Sequence, residues 1–151
     1  MSCFTCSLTS TNDPHVVHTC DLVVVNQYVD STENRCGWLV VSPRRHVTSL
    51  VALTDGEWTA LSACISALDG MLRDRYGATR TMTASLGWEP DDHVHFHVFP
   101  TFATDGEPTF GCENFDRFTP ISTSIDTFIS DTRRLLPLLL ADMSRPLTVA
   151  G

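Results

Sequence analysis

Seven residues, His93-Val94-His95-Phe96-His97-Val98-Phe99, alternate between imidazole and apolar side chains and close on two apolar ones. A strand has a side-chain period of two, so the run places three imidazoles on one face and Val94, Phe96 and Val98 on the face toward a core. Such a strand needs a sheet with one buried side and one side open to chemistry. A surface strand with polar residues outward is the bland alternative, and three histidines in register, with Asp91 and Asp92 just before them, argue against it. Two chemistries fit the spacing. One is an imidazole nucleophile flanked by helper histidines, and the other is a metal held by alternate strand residues.

The rest of the chain reads as a scaffold for that strand. Val16-Val17, Leu22 to Val25 and Trp38 to Val41 are β-branched or apolar runs between polar connectors, so the first third reads as strands and turns. Thr54 followed by Glu57 is a capping-box signature, and Trp58, Leu61, Ile65, Leu68 and Leu72 recur at helical spacing, predicting a helix from about Gly56 to Tyr76. Thr81 to Leu86 and Val94 to Phe99 alternate as half-buried strands do. Thr101 to Thr119, rich in Gly, Pro and Asp, reads as loop, and Ile121 to Met143 as a helix broken or kinked at Pro137. The order suggests an α+β fold with an antiparallel sheet. At 151 residues with 42% hydrophobic content, one domain over residues 1–151 is expected.

Net charge limits the partners. Eighteen acids against ten bases leave −8, the wrong sign for a chain that must attract phosphodiester backbones, so nucleic acid is not an expected partner. No apolar run approaches the about 20 residues of a membrane span, and the Met1 to Cys6 segment lacks the basic and apolar regions of a Sec signal, which makes the cytoplasm the expected compartment. In a reducing compartment, closely spaced cysteines point to metal or redox chemistry, and of six cysteines only Cys3 and Cys6 are close. Cys3-x-x-Cys6 needs two further donors to close a tetrahedral zinc shell. His46, after Ser42-Pro43-Arg44-Arg45 where a strand ends, is one candidate. His15, His18 and Cys20 form another possible donor set, but His15-x-x-His18 in a strand would point in opposite directions, so these are read as surface residues. Arg44 and Arg45 read as a solvated pair before a phosphate clamp, and Cys64 as a buried structural thiol.

The run from His93 to Phe99 resembles the His-φ-His-φ-His-φ-φ signature of the histidine triad family of nucleotide hydrolases and transferases. Gly37-Trp38-Leu39-Val40-Val41-Ser42-Pro43-Arg44-Arg45-His46-Val47 and the following Leu53-Thr54-Asp55-Gly56-Glu57-Trp58 resemble the family's strand and next helix, in the same order. The resemblance implies an antiparallel sheet of about five strands with one long central helix and a C-terminal helix, commonly in a homodimer. It implies a nucleotide or nucleotide-conjugate substrate. His95 would attack the α-phosphorus to give a nucleotidyl-histidine intermediate, and His97 would hydrogen-bond phosphate oxygens. Asn26 resembles the residue set against the ribose, and Arg44 and Trp88 are further substrate-binding candidates, Trp88 by stacking on a base. By analogy with zinc-containing members, Cys3, Cys6, His46 and His93 would form a structural zinc site.

The chain also departs from the family pattern. A Gly-Gln-Ser or Gly-Gln-Thr stretch that assists the leaving group is replaced by Gly87-Trp88-Glu89-Pro90-Asp91-Asp92, a frequent His is Trp38, and the Arg often following the triad's proline is Thr101. Carboxylates at Glu89, Asp91 and Asp92 would disfavour a polyphosphate leaving group and favour an amine. Phosphoramidase-like and dinucleoside polyphosphate-like hydrolysis are both within the resemblance. A non-catalytic nucleotide-binding or regulatory module, and a metal-dependent hydrolase using the triad as ligands, are the rival readings. Because His95 must be neutral to attack, the nucleophile reading expects the rate to fall toward low pH.

Overall fold

The computed structural model describes residues 3–10, 12–86, 93–103 and 118–143 of the chain. Their elements run α1 (Phe4–Ser10), β1 (Val16–Thr19), β2 (Val23–Gln27), β3 (Leu39–Pro43), a 3-10 turn (Leu50–Ala52), α2 (Asp55–Tyr76), β4 (Arg80–Ala84), β5 (Phe96–Thr101) and α3 (Ile125–Met143). The strands form one antiparallel sheet in the spatial order β1-β2-β3-β5-β4. The expected α+β architecture is present. Helix α1 is an addition to it, in a stretch read as strands and turns. Seven residues are too few to show an amphipathic period, and so short a helix depends on packing, here through buried Leu8.

Cross-strand register sorts the two faces. Val25 pairs with Val41 and Val41 with Phe96, while Leu39 pairs with Val98, so these side chains stand on the face covered by α2 and α3. Leu61, Cys64, Leu68 and Leu72 of α2 and Phe128, Ile129 and Leu136 of α3 complete that core. Burial at the core pushes the Cys64 thiol up to about 12, with a smaller contribution from Cys20, in keeping with a structural cysteine. The other face carries the row Asn26, Val40, His97, Ala84, each paired with the next across β2, β3, β5 and β4.

Helix α2 begins as the capping box predicts: Thr54 accepts from the Glu57 backbone N–H, and the Glu57 carboxylate accepts from that of Thr54. It ends at Gly77, whose φ of 73° provides the left-handed cap. Of the break or kink expected at Pro137, helix α3 does not have the break. It starts at Ile125, after Ser124 accepts from the Thr127 N–H at 3.1 Å, and continues through Pro137 to Met143. Proline forfeits one hydrogen bond there, but buried Leu136, with Leu135, Leu139 and Leu140 against the core, holds both sides of the interruption in place. No helix among the described residues is long and apolar enough to cross a membrane. Most of the stretch expected to be loop, residues 104–117, lies outside the described residues.

The histidine run differs from the expected continuous strand. Sheet pairing starts at Phe96, so His97 alone of the triad lies within β5. The reason is a long-range contact: the Val94 N–H donates to the Val47 carbonyl at 2.7 Å, which draws this segment toward the loop after β3.

Candidate functional site

The loop after β3 and the first turn of α1 meet at His93. Cys3 and Cys6 are three residues apart, a spacing at which a helical turn brings side chains to the same side. Cys3 Sγ lies 3.3 Å and Cys6 Sγ 3.5 Å from His93 Nδ1, and Cys6 Sγ lies 3.5 Å from His46 Nδ1. One donor atom from each of these four residues lies within 4.8 Å of the others. The two imidazoles meet edge to face at 5.1 Å. His93, only 2% exposed, approaches the Pro43 carbonyl through Nε2 at 2.9 Å. A carbonyl only accepts, so Nε2 carries the proton and the Nδ1 lone pair faces the sulfurs. Two soft thiols and two imidazoles fit zinc, for which tetrahedral bond lengths imply sulfur-to-nitrogen separations of roughly 3.5 Å.

The loop that presents His46 is anchored at its other end. Arg45 Nε and Nη2 donate to the two Glu57 carboxylate oxygens at 3.0 and 2.8 Å, and Arg45 Nη2 also reaches the Ala52 carbonyl at 2.9 Å. Glu57 is 3% exposed and also receives the Thr54 backbone N–H. Arg45, with the Thr54 bonds behind it, pulls the Glu57 carboxyl down to about 2. The capping box therefore does more than start α2, because it also holds the residue before His46. Arg45, expected as half of a solvated pair, is exposed and is also tied to this buried carboxylate.

The next two histidines, both half-buried, stand apart from that cluster. His95 Nδ1 lies 2.8 Å from the His93 carbonyl, which can only accept, so the His95 proton is on Nδ1 and Nε2 carries a lone pair. His97 stands beside it, ring centroids 5.0 Å apart and planes at 81°. The Trp38 indole Nε1–H donates to His97 Nδ1 at 2.8 Å. Burial, and behind it the His95 ring, push the His97 pKa down to about 4. The three imidazoles thus do not converge on one ion: His93 joins the cysteines, while the Nδ1 atoms of His95 and His97 face a carbonyl and an indole.

Asn26 sits in the same cross-strand row as His97 and is 5% exposed. Its Nδ2 donates to the Gln27 carbonyl at 3.3 Å, and its Oδ1 has no partner among the described residues. It borders a cavity of about 260 Å³ together with Phe4, Leu8 and Tyr28. Arg44 is placed differently: it is exposed, and Nη1 donates to the Cys20 carbonyl at 3.1 Å, at a groove shared with Val24 and Arg133. His18, read as a surface residue, is half-buried, and burial lowers its pKa. Trp88, Glu89, Asp91 and Asp92 lie outside the described residues. Sequence reasoning noted Trp38 as a departure and missed its bond to His97. The cross-strand pairing of Val40 with His97 brings that strand alongside the histidine, a long-range fact with no local signal.

No protein-family model and no curated protein matches the sequence. Solved structures do match. A Zn-bound histidine triad family protein from Mycobacterium smegmatis is 18% identical with a TM-score of 0.64, over 95% of this chain and 96% of that one. A diadenosine triphosphate hydrolase from Plasmodium falciparum is 12% identical with a TM-score of 0.57, over 87% of this chain and 80% of that one. A uridylyltransferase is 19% identical with a TM-score of 0.57, over 91% of this chain and 46% of that one. What these likenesses establish is the architecture: the chain has the histidine triad fold.

Proposed function

We propose that this protein is a nucleotide hydrolase or nucleotidyl transferase that works at the α-phosphate of a nucleotide conjugate, with His95 as the nucleophile. The observation that carries this reading is the 2.8 Å contact between His95 Nδ1 and the His93 carbonyl, which puts the proton on Nδ1 and the lone pair on Nε2. That lone pair forms an N–P bond while the bond from phosphorus to the leaving group breaks, its electron pair departing with that group. Water or an acceptor hydroxyl then bonds to phosphorus, the N–P pair returns to Nε2, and the proton of the incoming oxygen passes to solvent. His97, protonated on Nε2, donates to a phosphoryl oxygen as charge builds there. Asn26 supplies the polar atom for the ribose, next to the apolar surfaces of the cavity it borders. Arg44 and Trp88 are the further substrate contacts in this reading. The diadenosine triphosphate hydrolase and the uridylyltransferase among the similar folds support a hydrolase or transferase.

Cys3, Cys6, His46 and His93 would hold a structural zinc ion, as the Zn-bound similar structure supports. When bound, such an ion supplies rigidity to the segment that presents His95 and takes no part in the displacement. The assembly that goes with this reading is a homodimer, for which sedimentation is the check.

The deciding experiment is intact-protein mass spectrometry of wild type and His95→Ala after brief mixing with nucleoside phosphoramidates, dinucleoside polyphosphates and nucleotide sugars, quenched without acid. A nucleotidyl adduct on wild type and none on the variant is the expected result. Turnover without any adduct, under conditions where chemistry limits the rate, would remove His95 as nucleophile.

A further inference from the structure

An indole Nε1 is always a donor, so the 2.8 Å bond from Trp38 makes His97 Nδ1 the acceptor. A neutral imidazole carries one N–H, which must then sit on Nε2. Both rings are held. Trp38 is 5% exposed, stacks on Phe99 at 4.5 Å and 24°, meets Phe118 at 5.2 Å and has the Arg35 guanidinium 5.0 Å from its centroid. Its backbone is pinned as well, its carbonyl accepting from the Tyr28 N–H at 2.7 Å and its N–H donating to the Arg35 carbonyl at 2.9 Å. Gly37 before it takes φ +94°, and a Cβ there would come within 2.5 Å of Ile121. The His97 backbone is fixed by sheet pairing to Val40 and Ala84, and its ring meets Tyr28 edge-on at 5.9 Å and His95 at 5.0 Å.

We propose that Trp38 is a positioning residue whose indole N–H holds His97 in a single tautomer, with the proton on Nε2 of a ring that stands beside His95. A hydroxyl or imidazole at position 38 can accept as well as donate and would admit both tautomers; an indole admits one. His97 then acts as a fixed hydrogen-bond donor that keeps its proton. Giving up the Nε2 proton would leave an imidazolate, and gaining one at Nδ1 would break the bond to Trp38. A proton required by the leaving group therefore comes from solvent or from another group. These catalytic consequences rest on the nucleotide reading above, whereas the tautomer does not.

The test is long-range ¹⁵N-edited NMR of the histidine side chains in the full chain, combined with steady-state kinetics of wild type, Trp38→Phe and Trp38→His. The expected wild-type spectrum shows His97 protonated at Nε2 alone. Trp38→Phe should populate both tautomers and lower kcat about tenfold with KM changed less than about twofold, a smaller loss than deleting the donor outright. Trp38→His, which restores an N–H donor, should recover part of that loss. An Nδ1–H or averaged His97 in wild type overturns the proposal, and so does a Trp38→Phe protein whose tautomer and kcat are unchanged while only its melting temperature falls. If wild type turns over no nucleotide conjugate, the functional reading fails, yet the nitrogen shifts of wild type still decide the tautomer, including when Trp38→Phe does not fold.

Discussion

His93 and His97 are four residues apart in one alternating run, and their rings have opposite surroundings. His93 is sealed at 2% exposure between two sulfurs, His46 and the Pro43 carbonyl, whereas His97 is half-buried beside His95 and the indole of Trp38. Strand period assigns both to the same side of the chain. What separates them is which distant segments close over each end: α1 and the loop after β3 at His93, and β3 with its Trp38 at His97. Identical side chains at identical spacing thus acquire different surroundings, which the proposed function reads as a structural part at one end and a chemical part at the other.

Four perturbations sharpen or break that division. The largest effect is expected from His95→Ala, which should reduce turnover by about 10³-fold or more while shifting the melting temperature only slightly, because a cleft-wall ring contributes little packing. Chelation of metal, or Cys3→Ser, should do the reverse. The expected fall in melting temperature is roughly 10 °C, with kcat measured well below the transition changing less than about threefold. Chemistry that dies with chelator while circular dichroism is unchanged would erase the division between the two ends.

Glu57→Gln should give a smaller effect of the second kind. It weakens the hold on Arg45, so thermal unfolding should come about 3 °C earlier and metal should be lost at lower chelator concentration. A variant with wild-type metal retention would separate the capping box from the metal loop. The fourth perturbation is pH. Because the folded His97 pKa is pushed down to about 4 from 6.5, the unfolded chain binds a proton between those values that the folded chain does not. Stability from this group is complete above about pH 6.5, declines as pH falls toward 4 and levels off below. Melting temperatures of wild type and His97→Asn across that window should converge as pH drops; parallel curves would place the His97 ring in a solvated setting.

Where a signal was local, the sequence was legible. Thr54 and Glu57 mark the start of α2, and both cap bonds are present, because a capping box is a contact between residues three apart. Alternation identified the apolar face of the histidine run, and Val94, Phe96 and Val98 all join the core. Illegible features came from contacts across the chain. Helix α1 needs Leu8 buried, the bend before β5 needs the Val47 carbonyl, and the continuity of α3 past Pro137 needs the surrounding leucines to be packed. Arg45 is the clearest example at the site. As one of two adjacent arginines it reads as solvated, and only α2 arriving with Glu57 gives it a buried partner.

By itself, then, the sequence determined the period and cap of α2, the apolar face of the histidine run and the pair of thiols three residues apart, all of which are properties of neighbours along the chain. Tertiary structure alone decided that Cys3 and Cys6 reach His46 and His93, that Asn26 and His97 share a row, and that an indole on β3's approach sets the proton of a histidine 59 residues later. The physical reason is that a hydrogen bond or a ligand shell acts over a few ångströms, and only sheet pairing and helix packing bring such distant residues that close.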